Sequence, residues 1–345
     1  MNEFAVPAGP AVPDASSRAV SRIVRDLAAN RGQLTAAELP DILAELPGAD
    51  LATLLLEVFR RRAGRLSAAD VMRRYRTDRF VGPGSVDFAA LSRAQDAMLA
   101  AFGANFDIVV LAPVLPLGSH SVTARVDQRN VIATIRGSEV AADPTNGLAL
   151  EAAVRRRRLL DAAPRSARAV RLAAAQRVTR AQLFSGPVSF AHFQLVGVVT
   201  AGRDSGSLEF ERQHLAEHLR LAVRGLSVLG ADAVSIAITC LDGPSSGVLA
   251  AVREEFAGVA GVEVVPEPER AGGRGYYQRL CFKIFARFGA EEPLEVADGG
   301  FVDWTAQLLG SAKERLLISG YGIDRLAIAA TAAAKASPLH EPRIT

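Results

Sequence analysis

Cysteine is scarce: Cys240 and Cys281 are the only two, and each lies in an apolar segment. That excludes a disulfide framework and makes a reducing cytoplasm the expected setting. No apolar run reaches the roughly 18 residues that a membrane span needs, so no membrane partner is expected. The first residues, MNEFAVPAGPAVPDASS, lack the basic start and apolar stretch of a secretory leader. Excess charge of one sign is missing too. The net charge is +3, which does not demand a nucleic-acid partner. No internal repeat is present, which excludes a solenoid.

What remains is ordinary globular material. The chain has 345 residues, 49% hydrophobic and 22% charged, enough for a sizeable core in one large domain or a large and a small one. Residues 1–16, rich in Pro, Ala and Ser, read as a disordered leader. Residues 17–80 read as a helical module. SSRAVSRIVRDLAAN has apolar residues at helical spacing, LTAAELPDILAEL opens on a Thr35-x-x-Glu38 capping box, and LSAADVMRRY carries a cap at Ser67.

From residue 81 to 335 the texture becomes strands alternating with helices, and 336–345 reads as a tail. FDIVVLAPVLP reads as a buried strand after an amphipathic helix over 87–103. Further strands are expected at 131–136, 168–174, 190–201, 233–240, 262–265, 279–287 and 316–322, with helices at 145–160, 208–229, 246–256 and 301–310. Adjacent strands without intervening helices favour an α+β antiparallel sheet flanked by helices over a doubly wound parallel one.

Three ordered segments carry chemistry. The first is the helix at 87–103 running into a strand and Pro113. In the second, VRLAAAQRVTRAQLFSGPVSFAHFQLVGVVTAGR, a strand ends at Arg180 and the return strand starts at Phe193. Such a hairpin brings a guanidinium and an aromatic face onto one surface. A planar, permanently charged fork suits phosphate oxygens. The third, ADGGFVDWTAQLLGSAKERLLISGYGIDRLA, ends in Gly320-Tyr-Gly322-Ile-Asp-Arg325-Leu, where glycines let a ligand approach the backbone.

Together these resemble the three signature motifs of class II aminoacyl-tRNA synthetases, and in particular of histidyl-tRNA synthetase and its paralogue, the regulatory subunit of ATP phosphoribosyltransferase. The resemblance implies a homodimer through the first motif. It implies ATP with Mg²⁺, held by Arg180 at the α-phosphate, Gln182, Phe193 stacked on adenine, Gly320, Gly322 and Arg325 at the γ-phosphate. Arg180 and Arg325 would be the catalytic groups. EVAADPTNGLALEAAVRR resembles the segment that holds the substrate amino group, which points to Asp143 and Thr145. RGYYQRLCFKIFA resembles the amino-acid pocket segment, which points to Arg274, Tyr276 and Tyr277.

The sequence departs from the family on the amino-acid side. Gly272 stands where the family has an Arg, with Arg270 or Arg274 nearby to reach in. Lys283 replaces an acidic residue, and Gly299-Gly300-Phe301-Val302-Asp303 replaces Gly-Gly-Arg-Tyr-Asp. Gln182 replaces a Glu. The chain ends soon after Arg325, leaving no room for an anticodon-binding domain, so tRNA is not the expected partner. Two functions follow from the resemblance. One is AMP-forming activation of an amino acid or related carboxylate, with transfer to a non-tRNA acceptor. The other is a non-catalytic regulatory subunit that meets a partner enzyme through the N-terminal helices.

Other features have plainer readings. His214-Leu-Ala-Glu217-His218 matches a short metalloprotease pattern, but a solvated or capped helix face is the preferred reading and no metal site is expected. His192 closes the hairpin or senses nucleotide. Gly118-Ser-His120-Ser121 is a polar turn or lines the pocket. Arg155–Arg158 reads as a solvated helix face. Cys281 reads as a core residue, and Trp304 as a core residue or part of the pocket.

Overall fold

The structure, a computed structural model, describes residues 15–31, 39–182, 191–270, 272–273 and 275–336. The chain divides into two compact units: Met1–Gly82 with Ala133–Ser138, and Pro83–Ile132 with Glu139–Thr345.

The first unit holds helices α1 (Ala15–Arg31), α2 (Leu39–Ala44), α3 (Gly48–Ala63) and α4 (Ala68–Thr77). Helix α1 lies against α3, tied by Arg22 to Asp50 at 2.7 Å. The Ser67 cap is present as a full capping box. Its hydroxyl accepts from the Asp70 N–H, and the Asp70 carboxylate accepts from the Ser67 N–H. Helix α3 falls within the stretch expected to be helical. The proposed Thr35–Glu38 box lies outside the described residues, as does the leader except for Ala15 and Ser16, with which α1 begins.

The second unit contains α5 (Phe88–Phe102), β1 (Asp107–Ile108), the short strand β2 (Val114–Pro116), all but the first residue of β3 (Ser138–Val140), α6 (Pro144–Ala162), β4 (Val170–Thr179), β5 (His192–Arg203), α7 (Glu209–Val228), β6 (Ala233–Cys240), α8 (Ser246–Phe256), β7 (Val262–Pro266), β8 (Gln278–Arg287), β9 (Leu294–Val302), α9 (Trp304–Leu309), β10 (Glu314–Gly322) and α10 (Ile323–Ala336). Among the described residues, eight strands form one sheet in the order β1-β4-β5-β10-β9-β8-β6-β7. Only β1·β4 and β6·β7 are parallel; the other neighbours are antiparallel. The expected α+β architecture is therefore present.

Alternation along the strands explains the layering. In β4 and β5, Ala173, Val196 and Val198 enter a core with residues of α5, α7, α8 and α10. Their neighbours Leu172, Ala174, Val199 and Ala201 face the other way, against Leu148, Ala149 and Ala152 of α6 and Trp304 of α9. A sheet covered on both faces needs apolar residues on both, which is why β5 reads Leu-Val-Gly-Val-Val. Gly197 sits under α6: a Cβ there would meet Pro144 at 2.7 Å.

Four expectations are corrected. FDIVVLAPVLP is not a buried strand. Asp107 and Ile108 pair at the edge of the large sheet, Val114–Pro116 pair separately as β2 with β3, and Val110 between them is fully exposed. With one neighbour at most, an edge segment ended by Pro113 has little to pair with. Residues 131–136 form no strand. The expected helix over 301–310 starts only at Trp304, because Phe301 and Val302 still pair with Leu317 and Leu316, completing the unanticipated strand β9.

The Arg155–Arg158 run is not a uniformly solvated face. Arg156 is fully buried against Glu314, Arg157 donates to the Leu309 carbonyl at 3.1 Å, and Arg155 bonds Glu151 and Asp107.

Candidate functional site

Strands β4, β5, β8, β9 and β10 and the N-terminal ends of α6 and α10 surround a cleft of about 580 Å³. Its lining includes Asp143, Thr145, Arg180, Phe193, Tyr276, Tyr277, Gly320, Gly322 and Arg325, so one space gathers residues far apart in the chain. Gln182 is not in the lining, and Arg274 lies outside the described residues.

The β4–β5 hairpin supplies the first pair. Arg180 follows β4 directly, and its N–H bonds the Ala191 carbonyl, so the hairpin is closed at this point. Its guanidinium lies 5.1 Å from the Phe193 ring centroid, a cation–π distance. Arg180 Nε donates to the Ala142 carbonyl at 3.0 Å, and Nη2 donates to Asp143 Oδ2 at 3.0 Å. The fork is thus held in one orientation by the protein's own groups. His192, one residue earlier, accepts from Arg177 Nε at 2.8 Å and pairs with Thr179 in the ladder. This fits the hairpin-closing reading.

Asp143 caps α6. Its Oδ1 accepts from the Thr145 N–H at 2.9 Å and the Thr145 hydroxyl at 2.7 Å, and Pro144 takes the first helical position. One oxygen therefore serves the helix and the other serves Arg180. Behind this junction lies a buried pair, His120 and Glu139. The His120 ring contacts the Glu139 carboxylate through Nδ1 and accepts the Ala142 N–H at Nε2, 3.0 Å away. Burial opposes charge on Glu139. Hydrogen bonds from the His120 and Gly118 N–H groups, the Gln128 amide and the His120 ring outweigh it and hold the carboxyl below its ordinary value. The Gly118–Ser121 turn is thus neither an exposed loop nor part of the cleft lining; it supports the segment that orients Arg180.

The opposite wall holds Tyr276, Tyr277, Arg270 and Asp298. Arg270 Nη2 reaches both Asp298 oxygens at 3.0 and 2.8 Å, and the Tyr277 hydroxyl donates to Oδ1 at 3.0 Å. Burial pushes the Asp298 carboxyl up despite Arg270 and Tyr277. Burial likewise raises both tyrosines, with Asp143 and Asp298 adding to the rise at Tyr276, which therefore feels both carboxylates. Trp304 is buried edge-on to Tyr276, 5.8 Å between ring centroids, so it is both core and backing for this wall. Gly273, at φ +87°, leaves room for Tyr277; a Cβ there would meet that ring at 2.9 Å.

At the mouth, Lys283 pairs with Glu295 at 2.8 Å, and Arg325 donates to the Glu295 carbonyl at 3.0 Å. A Cβ on Gly320 would meet only the Asp298 carbonyl oxygen, at 4.0 Å, so the glycine leaves the cleft floor open.

Sequence reasoning weighed Arg270 but missed Asp298 and Glu295. The signal was the acidic residue immediately before Gly299-Gly300. It went unread because β9 was not recognised.

The His214–His218 segment lies elsewhere, in the core. His218 exchanges hydrogen bonds with Thr200 and Ser319, and His214 contacts Glu217. The solvated-face reading is therefore corrected. Among the described residues no group of three or more His, Cys, Asp or Glu side chains could hold a metal ion.

This sheet, with its hairpin, final strand and following helix around one cleft, defines a class II synthetase-like fold. Solved structures with the same fold include an ATP phosphoribosyltransferase regulatory subunit/histidyl-tRNA synthetase from Bacillus halodurans, with TM-score 0.56 and 13% identity, covering 72% of this chain and 82% of that one. Histidyl-tRNA synthetase from S. aureus gives 0.53 and 13%, covering 74% and 68%. Histidyl-tRNA synthetase from Nostoc sp. gives 0.54 and 13%, covering 75% and 76%. At such identities the likeness establishes the fold. No family model matches the chain, and no curated protein matches it in sequence. No helix among the described residues is long and apolar enough to cross a membrane.

Proposed function

We propose that this protein binds ATP in the cleft and activates an amino acid or related carboxylate as an acyl-adenylate, passing the acyl group to a non-tRNA acceptor. The observation that carries this is the Arg180 guanidinium held over Phe193, in one cleft with Arg325. A carboxylate oxygen of the substrate attacks the α-phosphorus, the new P–O bond forms, and the bond to the β-phosphate oxygen breaks to release pyrophosphate. Arg180 would stabilise charge at the α-phosphorus and Arg325 at the γ-phosphate.

Mg²⁺ commonly keeps one or two protein carboxylates and takes its other oxygens from phosphates and water. Glu295 and Asp298 line the cleft and have that donor chemistry. Bound there, the ion would neutralise triphosphate charge. Asp143, with Thr145, would hold a substrate ammonium beside Tyr276. Substrate-dependent exchange of pyrophosphate into ATP is the expected activity. Absence of exchange across amino acids and small carboxylates would overturn the reading.

A second reading, a regulatory subunit docking on a partner enzyme, is favoured by exposed apolar side chains on the helical unit: Phe59, Val71, Met72 and Tyr75. On that reading, co-purification with a phosphoribosyltransferase is expected and ATP binding is not. For either function, exposed Ile108 and Val110 at the edge strand β1, with exposed Val114 and Leu117 in and after β2, support a homodimer through the first motif. A cytoplasmic setting is part of the same proposal.

A further inference from the structure

A second cleft, of about 690 Å³, shares no residue with the first. Four arginines line it: Arg155 and Arg158 from α6, Arg168 from the loop before β4, and Arg171 from β4. Asn105 and Asp107 complete its polar lining. Three separate stretches of chain therefore converge on one basic hollow, in a protein whose net charge is only +3.

The arginines are not equivalent. Arg155 is held by Asp107 at 2.8 Å and Glu151 at 2.7 Å, and Arg171 by Glu217 at 2.9 Å. The guanidinium groups of Arg158 and Arg168 are exposed and have no hydrogen bond or ion pair among the described residues. Asp107, the one carboxylate in the lining, is 75% exposed, so it screens its neighbours weakly. With Arg155 and Arg171 paired, the charge left over in the lining is that of Arg158 and Arg168, of one sign, and its field acts on the space inside.

The hollow is also braced from below. Arg156, fully buried on Glu314, donates to the Arg168 carbonyl at 2.6 Å and the Ser166 carbonyl at 3.1 Å. A buried ion pair is a weak source of stability. Here it fixes the loop that carries Arg168. The sequence thus separates one arginine run into a brace, Arg156, and a presented charge, Arg158.

We infer that this cleft is a binding site for a small, multiply charged phosphate compound. Guanidinium forks match phosphate oxygens in pairs. The volume is that of a small-molecule site. The lining contains no aromatic residue on which the bases of a single strand could stack, which argues against nucleic acid.

The test is calorimetric titration of the full chain with inorganic triphosphate, for the parent and for R158A/R168A, R158K/R168K and R180A. Both replaced side chains are exposed, so the melting temperature of R158A/R168A should match the parent. The expected result is a binding event weakened at least ~10-fold in R158A/R168A, retained in part by R158K/R168K and unchanged in R180A. It should also weaken as salt rises. The inference is overturned if the parent binds no triphosphate, if R158A/R168A binds as tightly as the parent, or if the whole loss follows R180A. It is equally overturned if a single-stranded RNA of equal charge binds more tightly than triphosphate and loses that binding in R158A/R168A. Only the R180A arm bears on the ATP cleft, so the two proposals fail separately.

Discussion

Arg156 and Glu314 form a fully buried ion pair. Both side chains are 0% exposed, and Nε and Nη2 donate to the two carboxylate oxygens at 2.8 and 2.9 Å. The pair joins α6 to the start of β10, 158 residues later in the chain. Removing one partner strands a buried charge. Glu314→Ala should therefore lower the unfolding free energy by about 3–5 kcal/mol, read by urea denaturation. Replacing both, Arg156→Met with Glu314→Leu, should cost clearly less. Equal losses in the two variants would show that the buried charge is not the cause.

Arg180 and Phe193 should carry nucleotide affinity. Arg180→Ala is expected to abolish measurable ATP binding by calorimetry. Phe193→Ala is expected to weaken it by about 1–3 kcal/mol, the range for a base stacked on an aromatic ring. Neither change should alter the melting temperature by more than a few degrees, since both side chains line an open cleft. ATP affinity unchanged in both variants would remove the nucleotide from this cleft.

Gly300 should tolerate no side chain. A Cβ there would meet the Leu280 carbonyl oxygen and Cys281 Cβ at 2.8 Å and the Tyr277 ring at 2.7 Å. Backbone atoms cannot swing away, so Gly300→Ala should destabilise by about 1–3 kcal/mol, the usual cost of overpacking. It should also displace Tyr277 from Asp298. A melting temperature equal to the parent's would contradict the tight contact.

Acid should destabilise the protein in two stages. Burial pushes the His218 imidazole down from 6.5 to about 3. Glu217, where burial is outweighed by His214 and Arg171, is held down from 4.5 to about 2. In both cases the unfolded chain takes up a proton at a higher pH than the folded one. Stability from His218 is complete above pH 6.5 and is lost as pH falls toward 3; that from Glu217 is complete above 4.5 and is lost toward 2. Urea midpoints should fall below pH 6.5 and fall more steeply below 4.5. His218→Gln should flatten the upper part of that curve; an unchanged slope there would exclude His218 as its source.

The arrangement of elements was largely legible in the sequence because it rests on local rules. β6 and α8 fall where alternation and helical spacing put them, and Ser67 caps its helix as its chemistry dictates. The motif residues Arg180, Phe193, Gly320 and Arg325 could be named in advance because the hairpin and the glycine-bearing strand are contiguous segments. Strand β9 was hidden because its Asp-Gly-Gly centre has low strand propensity. Pairing with β8 and β10 on both sides overrides that propensity.

The sequence by itself determined the α+β sheet, the order of its elements and the residue types that face the cleft. Periodicity and turn chemistry act over a few residues and are written in any short window. Only the tertiary structure decided which charges meet. Asp298 finds Arg270, Arg156 finds Glu314, and Arg158 and Arg168 come to line one second hollow, because electrostatic neighbours are set by distance in space and a linear sequence records none.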